Sequence, residues 1–366
     1  MTIAQDRPEA TLQEKWGNGP GFAGIVTFAH FDHHPALLEP EKRFDIGIIG
    51  VPFDTATSYR PGARFGPSAI RQGSQRQSEK RGYNLRAAYN PYQEWATMMD
   101  CGDIPVTPVS NEVALEQMTE AFEELLLRRQ SKADPAHPPR YIALGGDHSI
   151  ILPHLRALHK VYGRVAVIHF DAHLDTWNTS KKNGYWDSEK TRFTHGSMLW
   201  MASHEGLISE DYNVHVGLRA RIGGKSEEDY AEDTSQGWQR FSTDDVWFQG
   251  TSSMDKIIAQ IKKRIPEKYP VYISLDVDCM DPGFAPGTGT IEPGGMTPRE
   301  VLYLLRGLDF NLVGGDVVEV SPAYDNAEIT ATAASQVVYE LITTMVQKGK
   351  PIPTLEQRSS NLNGDQ

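Results

Sequence analysis

Cysteine is scarce in this chain: 366 residues include only Cys101 and Cys279. Two thiols make no disulfide framework, and they suit a reducing compartment, so a cytoplasmic location is expected. Long apolar runs are missing as well. None approaches the roughly 20 residues that a membrane helix needs, and the N-terminus lacks the apolar stretch of a secretory signal. Basic charge is in deficit: 36 Lys and Arg stand against 48 Asp and Glu, a formal net charge of −12. That balance argues against nucleic acid or an anionic membrane surface as partner. It suits a small cationic substrate, although many acidic enzymes have none. Internal repeats and a clear linker are also lacking, which leaves one large domain.

What the chain does contain is a series of apolar runs that end in metal-competent side chains. Residues 165–170 read as a buried strand and lead into Asp171, His173 and Asp175. Side chains two apart share a face where the extended geometry continues. Carboxylate oxygens mixed with an imidazole suit a divalent first-row metal better than a thiolate-seeking one. Alone, this stretch reads equally well as a strand end with a solvated loop. Two other stretches change that balance. A strand over 140–144 precedes Gly145-Gly146-Asp147-His148-Ser149, and one over 271–275 precedes Asp276-Val277-Asp278-Cys279.

Open α/β sheets bind ligands at the carboxyl ends of their strands. Three such endings on one sheet edge would bring His148, Asp171, His173, Asp175, Asp276 and Asp278 to one cleft. Clustered carboxylates repel and resist ionising, and a pair of divalent cations removes that penalty. Cys279 reads as a packing residue rather than a softer ligand.

Along the chain, strands are expected over 44–51, 95–100, 213–217 and 313–320 besides those above. Helices are expected over 68–80, 112–129, 150–162, 198–204, 254–264, 298–308 and 327–347. Such alternation implies a parallel sheet covered on both faces. Residues 1–43 form an N-terminal extension, 44–347 the domain and 348–366 a polar, mobile tail. His30, His33 and His34 follow no ligand spacing and read as surface residues. Arg60 and Arg64, in a Gly/Pro loop, read as partners in structural ion pairs. Residues 226–239 read as surface loop or short helix. Residues 177–193 are too polar for a strand and too long for a turn, as specificity loops are.

The segments GGDHS (145–149), DAHLD (171–175) and SLDVDCMDPGFAPGTGT (274–290) resemble, in order, the signatures of the ureohydrolase (arginase/agmatinase) family. The loop RPGARFGP at 60–67 resembles a family segment near the active-site mouth. The resemblance implies a three-layer α/β/α sandwich with a mostly parallel central sheet, assembled as a homotrimer or homohexamer. It implies two divalent metal ions, Mn2+ by default and Ni2+ in some relatives. His148, Asp171, Asp175 and Asp276 would hold one ion. Asp171, His173, Asp276 and Asp278 would hold the other, with Asp171 and Asp276 bridging and Asp147 in support. The implied reaction splits a guanidinium C–N bond into urea and an amine. Asp175 would steady the attacking oxygen, Glu319 would pair with the guanidinium, and His195 would relay a proton.

The substrate is less closely implied. Arginases resemble one another in a Ser-Gly-Asn segment before the His-Gly, and 190–194 here read Lys-Thr-Arg-Phe-Thr, so arginine is not expected. Agmatine needs an anion for its far amine, and Asp187 or Glu189 could serve. 4-Guanidinobutyrate needs a cation, and Arg192 or Lys190 could serve. Trp177 either narrows the substrate pocket, as a short substrate or free guanidine would need, or packs the loop. The expectation is an agmatinase-like enzyme, with guanidinobutyrase as the alternative. A formiminoglutamase fits nearly every ligand, whereas a non-catalytic partner subunit should have lost ligands, and none is missing.

Overall fold

Residues 140–145, 166–170 and 271–276 are buried at every position. Strands buried throughout belong to a sheet covered on both faces, and the computed structural model has that form. It describes residues 11–17, 19–178, 188–223, 226–248, 251–349 and 352–358. Among these residues eight strands form one sheet: β1 Ile46–Val51, β2 Met98–Asp103, β3 Arg140–Gly145, β4 Ala166–Phe170, β5 Asn213–Leu218, β6 Trp238–Ser242, β7 Val271–Asp276 and β8 Leu312–Val318. Their order is β2-β1-β3-β8-β7-β4-β5-β6, and every neighbouring pair is parallel.

Successive side chains alternate between the faces. Ile142 and Leu144 join one core, with helices Gly66–Gly73, Thr251–Arg264, Pro298–Gly307 and Ile329–Lys348. Tyr141 and Ala143 join the other, with helices Asn111–Leu127, Ile151–Tyr162 and Met198–His204. The result is the expected three-layer α/β/α sandwich. The four adjacent strands β3, β8, β7 and β4 occupy the middle of the sheet. Their carboxyl ends carry His148, Glu319, Asp276 and Asp171. No helix among the described residues is long and apolar enough to cross a membrane.

Several expectations need correction. The helix expected over 68–80 ends at Gly73. A Cβ there would lie 2.6 Å from the Ala331 carbonyl oxygen, so the chain crosses the last helix too closely for a side chain. The strand expected over 95–100 lies at Met98–Asp103. Within 226–239, helix Glu228–Ser235 is followed by β6, which was not expected. His34 is not at the surface but is buried edge-on against Phe44. The tail is not loose from 348: Ile352 and Thr354 are buried, and Arg358 donates to the Tyr162 carbonyl.

Candidate active site

The three strand-end turns share one construction. After β3, Gly146 passes so close to Phe53 that a Cβ would sit 2.2 Å from its carbonyl oxygen. Asp147 then accepts the Ser149 N–H at 3.0 Å and opens the short turn that carries His148. After β4, Asp171 Oδ1 accepts the His173 N–H at 2.6 Å, and after β7, Asp276 Oδ1 accepts the Asp278 N–H at 2.7 Å. Asp278 Oδ1 accepts the Ala172 N–H at 3.0 Å and ties the second and third turns together. Short polar side chains that bond their own backbone two residues on fix such turns.

These turns bring the expected side chains together. His148 Nδ1 lies 3.0 Å from Asp171 Oδ2, 3.4 Å from Asp175 Oδ2 and 3.5 Å from Asp276 Oδ2. His173 Nδ1 lies 3.0 Å from Asp278 Oδ2 and 3.2 Å from Asp171 Oδ1. Two groups bring one ligand-type atom from each residue within 4.8 Å of one another: His148, His169, Asp171 and Asp175; and Asp171, His173 and Asp278. Asp171 belongs to both. Asp276 stands beside the first group but outside the tight set. His169, which was not expected, takes a place in it, with Nε2 3.1 Å from Asp171 Oδ2.

The donor set fits divalent cations. His148 Nδ1, His169 Nε2 and Asp171 Oδ2 are buried without a hydrogen bond among the described residues. Buried polar atoms seldom lack a partner, because leaving one unpaired is costly. Charge makes the same point. Burial, with Asp278 and Asp171 adding to it, pushes the Asp276 carboxyl well up, and burial with Asp171 does the same to Asp175. Burial alone would depress His148, but Asp171, Asp276 and Asp175 outweigh it and hold the ring well above its ordinary value. Protons cannot satisfy this many buried carboxylates at once, whereas cations can.

An outer layer aims His148. His148 Nε2 lies 2.7 Å from Ser274 Oγ, and Ser274 Oγ donates to Asp316 Oδ1 at 2.7 Å. The hydroxyl proton is committed to Asp316, so Ser274 must accept the Nε2 proton, which leaves the Nδ1 lone pair facing the cluster. Tyr272 donates to the other Asp316 oxygen at 2.7 Å. The sequence reading missed this chain, although a carboxylate inside the apolar strand β8 was a visible signal. Ser274→Ala is expected to weaken metal affinity about 10–100-fold with the fold intact. Metal titration of the variant checks this, and unchanged affinity would remove Ser274 from the role.

Two carboxylates facing the cleft are held in left-handed backbone: Asp175 at φ 56° and Glu319 at φ 62°. Non-glycine residues in that region cluster at functional sites. Glu319 Oε1 accepts the His148 N–H at 2.9 Å and lies 3.0 Å from His195 Nδ1. The Ser58 N–H donates to His195 Nε2 at 2.9 Å. Together Asp175, Glu319 and His195 border a cleft of about 270 Å³, with Ser58, Trp177 and Arg221 on its walls.

Trp177 lines the cleft and is fixed from helix Glu228–Ser235, since its Nε1 donates to Asp229 at 2.9 Å. Arg192 does not line the cleft. The Ser197 hydroxyl bonds its carbonyl oxygen, and its guanidinium faces Glu189 at 3.7 Å. Lys190 likewise faces outward to Glu112, and Asp187 lies outside the described residues. Arg64 pairs with Asp54, as expected of a structural residue. Ser58 and Arg221 were missed. Both follow strands that end on the ligand edge, the signal by which they were findable.

The arginase family model matches residues 44–343. This chain belongs to the arginase family. A Schizosaccharomyces pombe protein that bears the name of an agmatinase is 44% identical over 89% of this chain and 83% of its own. An agmatinase of Escherichia coli O1:K1 / APEC is 40% identical over 84% and 90%. The solved structure of proclavaminate amidino hydrolase from Streptomyces clavuligerus superposes with a TM-score of 0.77, at 33% identity over 90% of this chain and 99% of that one. The family's long parallel sheet is the scaffold seen here, with the His and Asp turns at its center.

Proposed function

We propose that this chain hydrolyses the guanidinium C–N bond of a small, agmatine-like guanidino compound to urea and an amine. One observation carries the reading: buried His148, His169 and Asp171 atoms without hydrogen bonds cluster with Asp175, His173 and Asp278, and those three residues line a cleft that Glu319 and His195 also wall. When bound, a pair of divalent cations supplies Lewis acidity and a water acidic enough to act near neutral pH. His148, Asp171 and Asp175, with Asp276 beside them, would hold one cation, and Asp171, His173 and Asp278 the other. Glu319 accepts the guanidinium N–H groups, a planar donor set matched to carboxylate. Asp175 orients the attacking water. As the C–N bond breaks, His195 delivers the proton that the departing amine needs.

The same reading takes Mn2+ as the cation and Ni2+ as the alternative, since O/N ligands accept both. It also takes a homotrimer or homohexamer and a cytoplasmic location, where the two buried free thiols would stay reduced. Urea release from agmatine, 4-guanidinobutyrate, guanidine and arginine, with each metal and after chelation, is the test. Urea that forms equally well after chelation would overturn the reading.

His195 gives the reaction a pH signature. Burial would depress its pKa, but Glu319, then Asp175 and Asp147, outweigh burial and raise it to about 9. The protonated ring therefore persists through neutrality and is lost as pH rises through about 9. The Ser58 N–H needs a lone pair on Nε2, so the arrangement seen is the neutral ring. On protonation the Nε2 proton takes the place of that lone pair, the Ser58 N–H contact is given up, and Ser58 Oγ, 2.8 Å away, is the acceptor within reach. The kcat profile is expected to fall above that pH. His195→Asn is expected to lose this limb and about 10²-fold in rate. A variant profile with the same limb would exclude His195 as the donor.

A further inference from the structure

The cleft divides by charge. Its acidic lining residues are Asp175, Asp278 and Glu319, and all three belong to the cluster or to the guanidinium position. The lining imidazoles, His173 and His195, touch those carboxylates. Every other described lining residue is uncharged except Arg221. Arg221 follows the end of β5 and is exposed to solvent. Its neighbour Arg219 is different: that guanidinium is committed to backbone carbonyls, including those of Asp278 and Glu292 at 2.6 Å.

The segment that carries Arg221 is tied to Trp177. Asp229 Oδ2 accepts the Trp177 Nε1 proton at 2.9 Å and the Gly223 N–H at 2.7 Å. One carboxylate oxygen thus joins the indole to the segment that follows Arg221. That oxygen is occupied by both donors, and Asp229 is not among the lining residues. For a substrate held by its guanidinium at Glu319, the indole of Trp177 and the cation of Arg221 are among the lining groups left for its tail.

We propose that the preferred substrate is a linear ω-guanidino carboxylate of the 4-guanidinobutyrate type, and that Arg221 receives its carboxylate. This rests on the ureohydrolase reading, keeps its reaction and chain length, and sets a carboxylate where agmatine has its ammonium. Agmatine would bring an ammonium against Arg221, a like-charge contact that selects against the wrong partner. A carboxylate would meet a planar, permanently charged donor fork. Arg221 is a specificity residue remote from the reacting carbon, so its contribution is the same in ground and transition states and appears in KM.

The test is a charge series of equal reach: 4-guanidinobutyrate, butylguanidine and agmatine, assayed for urea with the full-length chain loaded with manganese. The wild type is expected to rank them in that order by kcat/KM. Arg221→Ala should raise KM for 4-guanidinobutyrate about 10-fold, lower it for agmatine, and leave kcat and the butylguanidine constants unchanged. Arg221→Glu should reverse the ranking. A wild type that prefers agmatine overturns the proposal. So do equal losses on all three substrates in Arg221→Ala, because Arg221 would then only brace the wall. Urea from none of the three in the wild type is a separate failure: it removes the ureohydrolase reading and this proposal with it.

Discussion

Asp171→Asn is expected to abolish metal binding and urea release together, with a rate loss on the order of 10⁴-fold or more, because Lewis acid and nucleophile disappear in one change. The prediction follows from the position of both oxygens. Oδ2 faces His148 Nδ1 at 3.0 Å and His169 Nε2 at 3.1 Å. Oδ1 faces His173 Nδ1 at 3.2 Å and accepts the His173 N–H at 2.6 Å. No other described residue belongs to both groups. Asparagine keeps the volume but has one neutral acceptor where two anionic oxygens are needed, and its NH2 points donors at one group. His169, His148 and His173 hold the Asp171 carboxyl well below the usual range although burial alone would raise it. That anion is lost in the variant. Metal content and urea release measured on the same folded sample decide the matter, with the thermal unfolding midpoint as control. Two ions retained at parental affinity would show that Asp171 does not join the halves of the site.

The clustered His and Asp turns were legible in the sequence because two simple rules coincide there. An apolar run long enough for one strand stops, and polar residues follow at alternate positions. Three such stops would be scattered on a random fold, but a parallel sheet puts all strand ends of one sense on one edge. The outer contacts were less visible, because they form between strands whose pairing the sequence does not announce. Ser274 and Asp316 meet only because β7 lies beside β8, with those two residues in register. His169 and His215 meet in the same way across β4 and β5, 2.8 Å apart.

Short edge elements failed for another reason. In β6, only Trp238 and Phe241 are buried, too little apolar pattern in five residues to stand out from a polar surround. Nearness in sequence to His195 does not place Arg192 on the cleft lining. Its guanidinium faces Glu189 at 3.7 Å and is not part of the cleft lining, whereas Arg221 follows a different strand, β5.

Glu319→Gln is the complementary case: activity should fall on the order of 10³-fold, the scale of a buried charge pair broken on one side, while metal content stays normal. Glu319 is not in either ligand group. It is nearly fully buried, at 4% exposure, so its charge is little screened by water. Glutamine keeps an oxygen that can accept the His148 N–H, now seen at 2.9 Å, and the His195 Nδ1 proton, now at 3.0 Å. The local frame should therefore survive, and what is lost is the negative charge opposite the guanidinium. That charge does two things. It binds the substrate cation, which appears in KM, and it holds His195 in its protonated form, which appears in kcat. The variant should thus show a raised KM, a lowered kcat, and a His195 limb displaced to lower pH, because Glu319 is the largest of the causes that raise that ring's pKa. Turnover equal to the parent would mean that the guanidinium binds elsewhere. A raised KM with kcat and the limb unmoved would separate the two roles and leave Glu319 as a binding group alone.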